Sequence, residues 1–175
     1  MKYVLTYGLL SGLVVIATMV AGIAFSDQAS VFSSAFFGYT VMLVALSFIF
    51  VGVKRYRDIE RGGIVKFGPA FGIGLGIAAF AGVAYVIGWE IYLAATDYAF
   101  IDEYIAGIMK ARQDAGASAE AIAKELVKLE EMRVNYAKPL FRIPMTFLEI
   151  FPVGLLVSLV SAALLRNPKL LPAQR

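Results

Sequence analysis

Four stretches of the chain are almost uninterrupted apolar sequence: Tyr3 to Phe25, Phe32 to Val53, Pro69 to about Tyr92, and Ile143 to Leu165. Each is long enough to cross a ~30 Å hydrocarbon core at ~1.5 Å per residue. In lipid the backbone must satisfy its own hydrogen bonds, and stretches of this length without period-two alternation predict helices rather than a barrel. The expected fold class is all-α. It is an integral membrane protein of four transmembrane helices, spanning about 3–25, 32–53, 69–92 and 143–165, in a single membrane domain over residues 1–175.

Between the third and fourth stretches the pattern changes. From Tyr98 to Tyr136, Ile101, Tyr104, Ile105 and Ile108 recur at one-face helical spacing, Ala115 to Ser118 breaks the period, and Ile122, Leu126, Leu129 and Tyr136 resume it. This predicts an αα-hairpin over 98–136 in which two apolar stripes bury each other. Ser118 is the expected N-cap of the second helix, and Glu120 precedes Lys124 by four residues, a weakly stabilising pair. No Pro lies between Tyr85 and Asp114, so the third span is free to run straight into the first hairpin helix. The segment serves either as a connector or as a surface for a partner, and its length and amphipathicity favour the second.

Composition agrees with a membrane class: 60% of residues are hydrophobic and 17% charged, and mean hydropathy is +0.77, outside the soluble range. The net charge of +3 is informative through its placement. Lys54, Arg55, Arg57, Arg61 and Lys66 follow the second span against only Asp58 and Glu60, while Lys2, Arg166, Lys169 and Arg175 flank the outer spans. The positive-inside rule puts these segments, and both termini, in the cytoplasm. The short first loop holds only Asp27, and residues 95–142 balance seven basic against eight acidic groups, which leaves the hairpin extracytoplasmic. Gly22 and Ala24 would suit cleavage of a signal peptide, but the apolar run before them is longer than the usual h-region, so retention of the first span is expected. The basic loop is an anchor and meets anionic headgroups of the lipid bilayer as a matter of course; no nucleic acid partner is expected.

Small residues mark close helix approach. Gly68, Gly72 and Gly76 form a double GxxxG in the third span, and Gly8 and Gly12 a single one in the first. They suit packing within one bundle or formation of a homo-oligomer, and the first is favoured because four helices must pack.

The chain has neither Cys nor His, which removes thiolate and imidazole nucleophiles and the commonest metal ligands. It also lacks the phosphate-loop, nucleophile-elbow, zincin and EF-hand patterns. No catalytic residue, metal or cofactor is expected. The two candidate functional residues are intramembrane carboxylates, which normally face a protein interior, pair, or stay protonated. Glu90 lies ~32 Å along the helix from Pro69, beside Trp89 and Tyr92, where a snorkelling, solvated carboxylate is expected. Glu149 lies ~9 Å inside the boundary at Ile143, one turn before Pro152, which should kink the helix and free the carbonyl of Leu148. Its bland role is a bond to a hydroxyl on another span or a pair with Arg142; its functional role is binding a proton or cation. The two glutamates would converge if the third helix tilts.

Lys54-Arg55-Tyr56-Arg57-Asp58, Gly62-Gly63, Trp89-Glu90-Ile91-Tyr92 and Met145-Thr146-Phe147-Leu148-Glu149-Ile150-Phe151-Pro152-Val153-Gly154 together resemble one bacterial family, domain of unknown function (DUF) 4199, over nearly the whole chain. The resemblance implies a bacterial inner-membrane protein of four spans; it marks Glu90 and Glu149 for testing and implies no activity. Two functions fit: a non-enzymatic accessory protein that binds another membrane protein, or a small oligomeric proton- or cation-coupled transporter with Glu149 as carrier.

Overall fold

The computed structural model of the protein describes residues 1–24 and 35–173. Among them, regular structure is entirely helical: α1 (Lys2–Ala24), α2 (Ala35–Arg55), a π-helical turn (Tyr56–Glu60), α3 (Phe67–Ala95), α4 (Phe100–Asp114), α5 (Ala119–Tyr136) and α6 (Pro139–Leu165). Three segments, Gly38–Glu60, Phe67–Ala95 and Pro139–Leu165, are long and apolar enough to cross a membrane, and Lys2–Thr18 is a shorter apolar stretch. The beginning of the predicted second span, residues 32–34, and Asp27 lie outside the described residues.

The chain forms two compact units. The first comprises Met1–Ile87 with Phe147–Arg175. Its core is Leu46, Ile49 and Val53 of α2, Ile77, Ala78 and Ala81 of α3, and Ile150, Ala162 and Leu165 of α6, with Val15 of α1. Apolar side chains alone do not drive helices together in lipid, so small residues that admit backbone approach set the spacing. A Cβ on Gly12 would stand 2.6 Å from Cβ of Ala84, one on Gly154 2.7 Å from Cβ of Ala78, and one on Gly82 2.7 Å from the ring of Phe147. Gly8 and Gly76 are similarly close, against Phe80 and Val4. Gly68 and Gly72 depart from expectation: no side chain or neighbouring helix among the described residues comes within 4 Å of a Cβ there. The GxxxG spacing was met, but the ridge bears on a neighbour only at its Gly76 end. Buried hydroxyls are satisfied by backbone: Ser11 donates to the carbonyl of Ala45 at 2.8 Å and Ser158 to that of Gly154 at 2.7 Å. α6 stays α-helical through Pro152.

The second unit comprises Gly88–Thr146. In it α4 and α5 fold back on each other. Asp102, early in α4, pairs with Arg133, late in α5, at 2.8 Å, and Arg112 with Glu125 at 3.4 Å, above the buried Ile105 and Leu129. Gly116 takes the left-handed conformation (φ +71°), so that the amides of Ala117 and Gly116 donate to the carbonyls of Arg112 and Gln113 and close α4. Ser118 then caps α5, accepting from the amide of Ala121 at 3.2 Å. The Glu120–Lys124 pair is not formed. Nor does α3 continue into α4: it ends at Ala95, and Asp97 and Tyr98 both adopt positive φ (50° and 59°), a costly conformation for non-glycine residues.

Candidate functional site

That strained turn has a visible result. It places the ring of Tyr98 over the guanidinium of Arg142, 5.1 Å from the ring centroid, while the ring of Tyr136 covers it at 5.8 Å. Arg142, in the first turns of α6, is buried (side chain 3% exposed) and points its planar fork at Glu90 of α3. Nε donates to Oε1 at 2.7 Å and Nη2 to Oε2 at 2.6 Å, while Nη1 donates to the carbonyl of Tyr136 at 2.9 Å. This two-bonded geometry is the strongest form of a carboxylate pair, and only arginine can make it. Aromatic groups close the surroundings: Trp89 donates from its indole nitrogen to the Tyr136 hydroxyl at 2.7 Å and meets Phe100 edge-on at 4.8 Å. One ion pair thereby ties together the end of α3, the turn after it, the end of α5 and the start of α6.

Two expectations are corrected here. Glu90 is not a snorkelling, solvated carboxylate, because Arg142 supplies its counter-charge within the unit. Arg142 is not the partner of Glu149 either. The sequence signal for the true pair was present, since Arg142 is the one basic residue at the head of the last apolar stretch, but spacing along a single helix pointed to the wrong acid.

Glu149 sits in the first unit and is exposed on its surface. Among the described residues its hydrogen-bond partner is the Tyr85 hydroxyl of α3, 3.3 Å from Oε2. It therefore makes the bond to a hydroxyl on another helix that was one of the expected roles, with its carboxyl turned outward rather than into the helix bundle.

The predicted basic loop is a structured turn. Arg57 is fully buried: Nε donates to Asp58 at 2.7 Å, Nη1 to the carbonyl of Leu170 at 2.9 Å and Nη2 to that of Leu171. Asp58 also takes Lys54 at 2.5 Å. Glu60 accepts from Lys2 at 2.6 Å and from the Tyr3 hydroxyl at 3.1 Å. Arg57 is thus withdrawn from the surface and fastens the C-terminal segment, while Arg55, Arg61 and Lys66 are exposed.

The sequence matches the family described as "Protein of unknown function (DUF4199)" over residues 6–167. The chain belongs to this family. No curated protein and no solved structure matches it. The match takes in Glu90, Arg142, Glu149 and Arg57 with Asp58, while Lys2 and Tyr3, which bind Glu60, and Leu170 and Leu171, which bind Arg57, lie outside it. Among the described residues, no cluster of three or more acidic groups could hold a metal ion.

Proposed function

We propose that this member of the DUF4199 family is a four-span protein of the bacterial inner membrane, with both termini cytoplasmic, that acts without catalysis by binding another membrane protein through an extracytoplasmic hairpin of α4 and α5. The termini support this topology: Lys2 pairs with Glu60, and Arg57 holds the carbonyls of Leu170 and Leu171, so the start of α1, the turn after α2 and the tail after α6 share one end of the first unit. Helices that begin and finish at one end cross the bilayer an even number of times. The bias of Lys and Arg toward this end supports its cytoplasmic placement.

The observation that carries the binding role is the outer face of α5. The hairpin is capped at both sides of its turn, cross-linked by ion pairs and closed at its base by Arg142 and Glu90, yet Leu126, Val127 and Val134 remain exposed along an open groove between Glu130, Glu131 and Asn135. A connector needs neither this rigidity nor an apolar outer face. The test is mild-detergent purification of the tagged chain from native membranes, with its mass and co-purifying proteins determined together. A stoichiometric protein that is retained by the native chain and lost from both the chain lacking Tyr98–Tyr136 and the full-length Val127→Asp chain is the expected result. Retention by both variants would remove the hairpin from the binding role.

A second function, proton- or cation-coupled transport, draws on Glu149, an intramembrane carboxyl in contact with a hydroxyl. Because that carboxyl faces outward, a pathway through it would be completed by a neighbouring chain. Flux in proteoliposomes that is lost in Glu149→Gln supports it, and membrane permeability unchanged by the native protein rejects it.

A further inference from the structure

We infer that the outer face of α5 is a self-complementary surface on which a second copy of this chain docks, α5 against α5 and antiparallel about Val127. The inference rests on the binding role of the hairpin and names its occupant.

The face is apolar along its middle, with Val127 and Val134 two helical turns apart and both largely exposed. Its charges are distributed in an unusual way. Lys124 lies three residues before Val127 and Glu131 four residues after it, and at 100° per residue both fall on the same flank of that stripe. Several other charges of the pair are bound within it: Arg133 binds Asp102, Arg112 binds Glu125 and Lys110 binds Asp114; of those that are not, Glu103 lies on α4, Lys128 a quarter-turn round α5 from Val127, and Glu120 at the N-terminal end of the stripe. Lys124 and Glu131 have no ion-pair or hydrogen-bond partner among the described residues, and both are exposed.

A two-fold axis perpendicular to two antiparallel helices keeps each flank on its own side and reverses the order of residues along it. A lysine three positions before the centre therefore faces the partner's residue about three or four positions after it. Centred at Val127, the operation brings Lys124 opposite Glu131 of the second copy and Glu131 opposite its Lys124, while the valines meet across the axis. An isologous contact requires such self-complementarity. Parallel pairing would instead exchange the flanks, leaving Lys124 opposite Ala123 of the second copy and Glu131 opposite its Glu130, with no pair of opposite charge. A foreign helix could cover the apolar stripe as well, but only a second copy requires the basic and the acidic group to be placed symmetrically about its midpoint. One helix face is smaller than a standard interface, so the contact is weak between free molecules and gains from confinement of both copies in one membrane.

The natural chain has no cysteine, which makes the test clean. Full-length protein carrying Val127→Cys is oxidised in its native membranes, beside a control with Ala121→Cys, an exposed site on α5 turned well away from the stripe. Val127→Cys should give a disulfide-linked dimer and Ala121→Cys little. Adding Lys124→Glu to Val127→Cys should cut the yield about fivefold, from loss of two symmetric pairs, and adding Glu131→Lys as well should restore it. Equal yields from the two cysteine sites, or no response to Lys124→Glu, overturn the proposal. A co-purifying foreign protein lost in Val127→Asp would then leave the binding role standing with a different occupant, whereas no cross-link and no lost partner would remove both.

Discussion

Arg142 holds both carboxylate oxygens of Glu90, at 2.7 and 2.6 Å, across 52 residues of sequence, beneath the rings of Tyr98 and Tyr136. The pair is asymmetric in its exposure, 3% for the arginine side chain and 26% for the glutamate. Most of the penalty of breaking it therefore falls on a guanidinium left without its counter-charge. Glu90→Gln should destabilise the second unit by roughly 1.5–3 kcal/mol. Arg142→Lys should come close to it, because an ammonium cannot reproduce the two parallel bonds. Trp89 is the chain's one tryptophan and bonds Tyr136 beside the pair, so its fluorescence reports on the same unit. A thermal melt followed at this residue should shift down in both variants. An unchanged midpoint would show that the pair contributes nothing.

The helices were legible because apolar length is a local property: the predicted spans and the observed α1, α2, α3 and α6 differ by a few residues at most of their described ends. The cap at Ser118 and the break at Ala115–Ser118 were legible for the same reason. Partners across the fold were not. Glu90 and Arg142 are joined through a turn whose positive φ at Asp97 and Tyr98 no periodicity announces, and Arg57 looks like its basic neighbours until the carbonyls of Leu170 and Leu171 close on it. The glycines divide likewise. Spacing identified GxxxG, but only the packed helices distinguish Gly76, which meets Val4, from Gly68 and Gly72, which meet nothing among the described residues.

That division among glycines can be measured. A methyl on Gly154 would come within 2.7 Å of Cβ of Ala78, with backbone close behind it, so Gly154→Ala must push α6 from α3 and should cost roughly 1–3 kcal/mol. Gly72→Ala meets open space within the chain and gains helix propensity, up to about 1 kcal/mol. Opposite shifts in the thermal midpoint of the two detergent-solubilised variants are expected. A loss in Gly72→Ala equal to that in Gly154→Ala would mean that a second helix covers Gly72 in the assembled protein.

Arg57 gives a prediction about the C-terminal segment. Its guanidinium is the common donor to Leu170 and Leu171 and the buried partner of Asp58. Arg57→Met keeps much of the side-chain volume and removes every one of those bonds. Opening of the tail should then become easier by about 3 kcal/mol, which is ~100-fold in the open population. Carboxypeptidase digestion of the detergent-solubilised protein should trim residues beyond Asn167 correspondingly faster in the variant. Equal rates would show that the tail is held by its apolar contacts and not by Arg57.

Glu149 allows stability and function to be separated at a single atom pair. Its carboxyl is exposed on the surface of the first unit, and the Tyr85 hydroxyl at 3.3 Å is a long, single contact. If hydrocarbon lies against this face, a charged side chain is disfavoured there, by an amount below the ~2.5–3.5 kcal/mol that insertion scales give at the bilayer centre, and one weak hydrogen bond recovers only a fraction of that. Replacement by an apolar side chain of similar size should therefore stabilise the protein. Glu149→Leu is expected to unfold at higher denaturant or temperature in lipid bicelles than the native chain, and Glu149→Gln to lie between them. A site that costs stability in the bare protein persists when something else requires it, so the same variants belong in the flux assay. Higher stability with lost flux would make the carboxyl a functional group retained against its own cost. Lower stability in Glu149→Leu would instead show that the carboxyl is covered by a polar partner in the membrane, and would place Glu149 within an interface rather than against lipid.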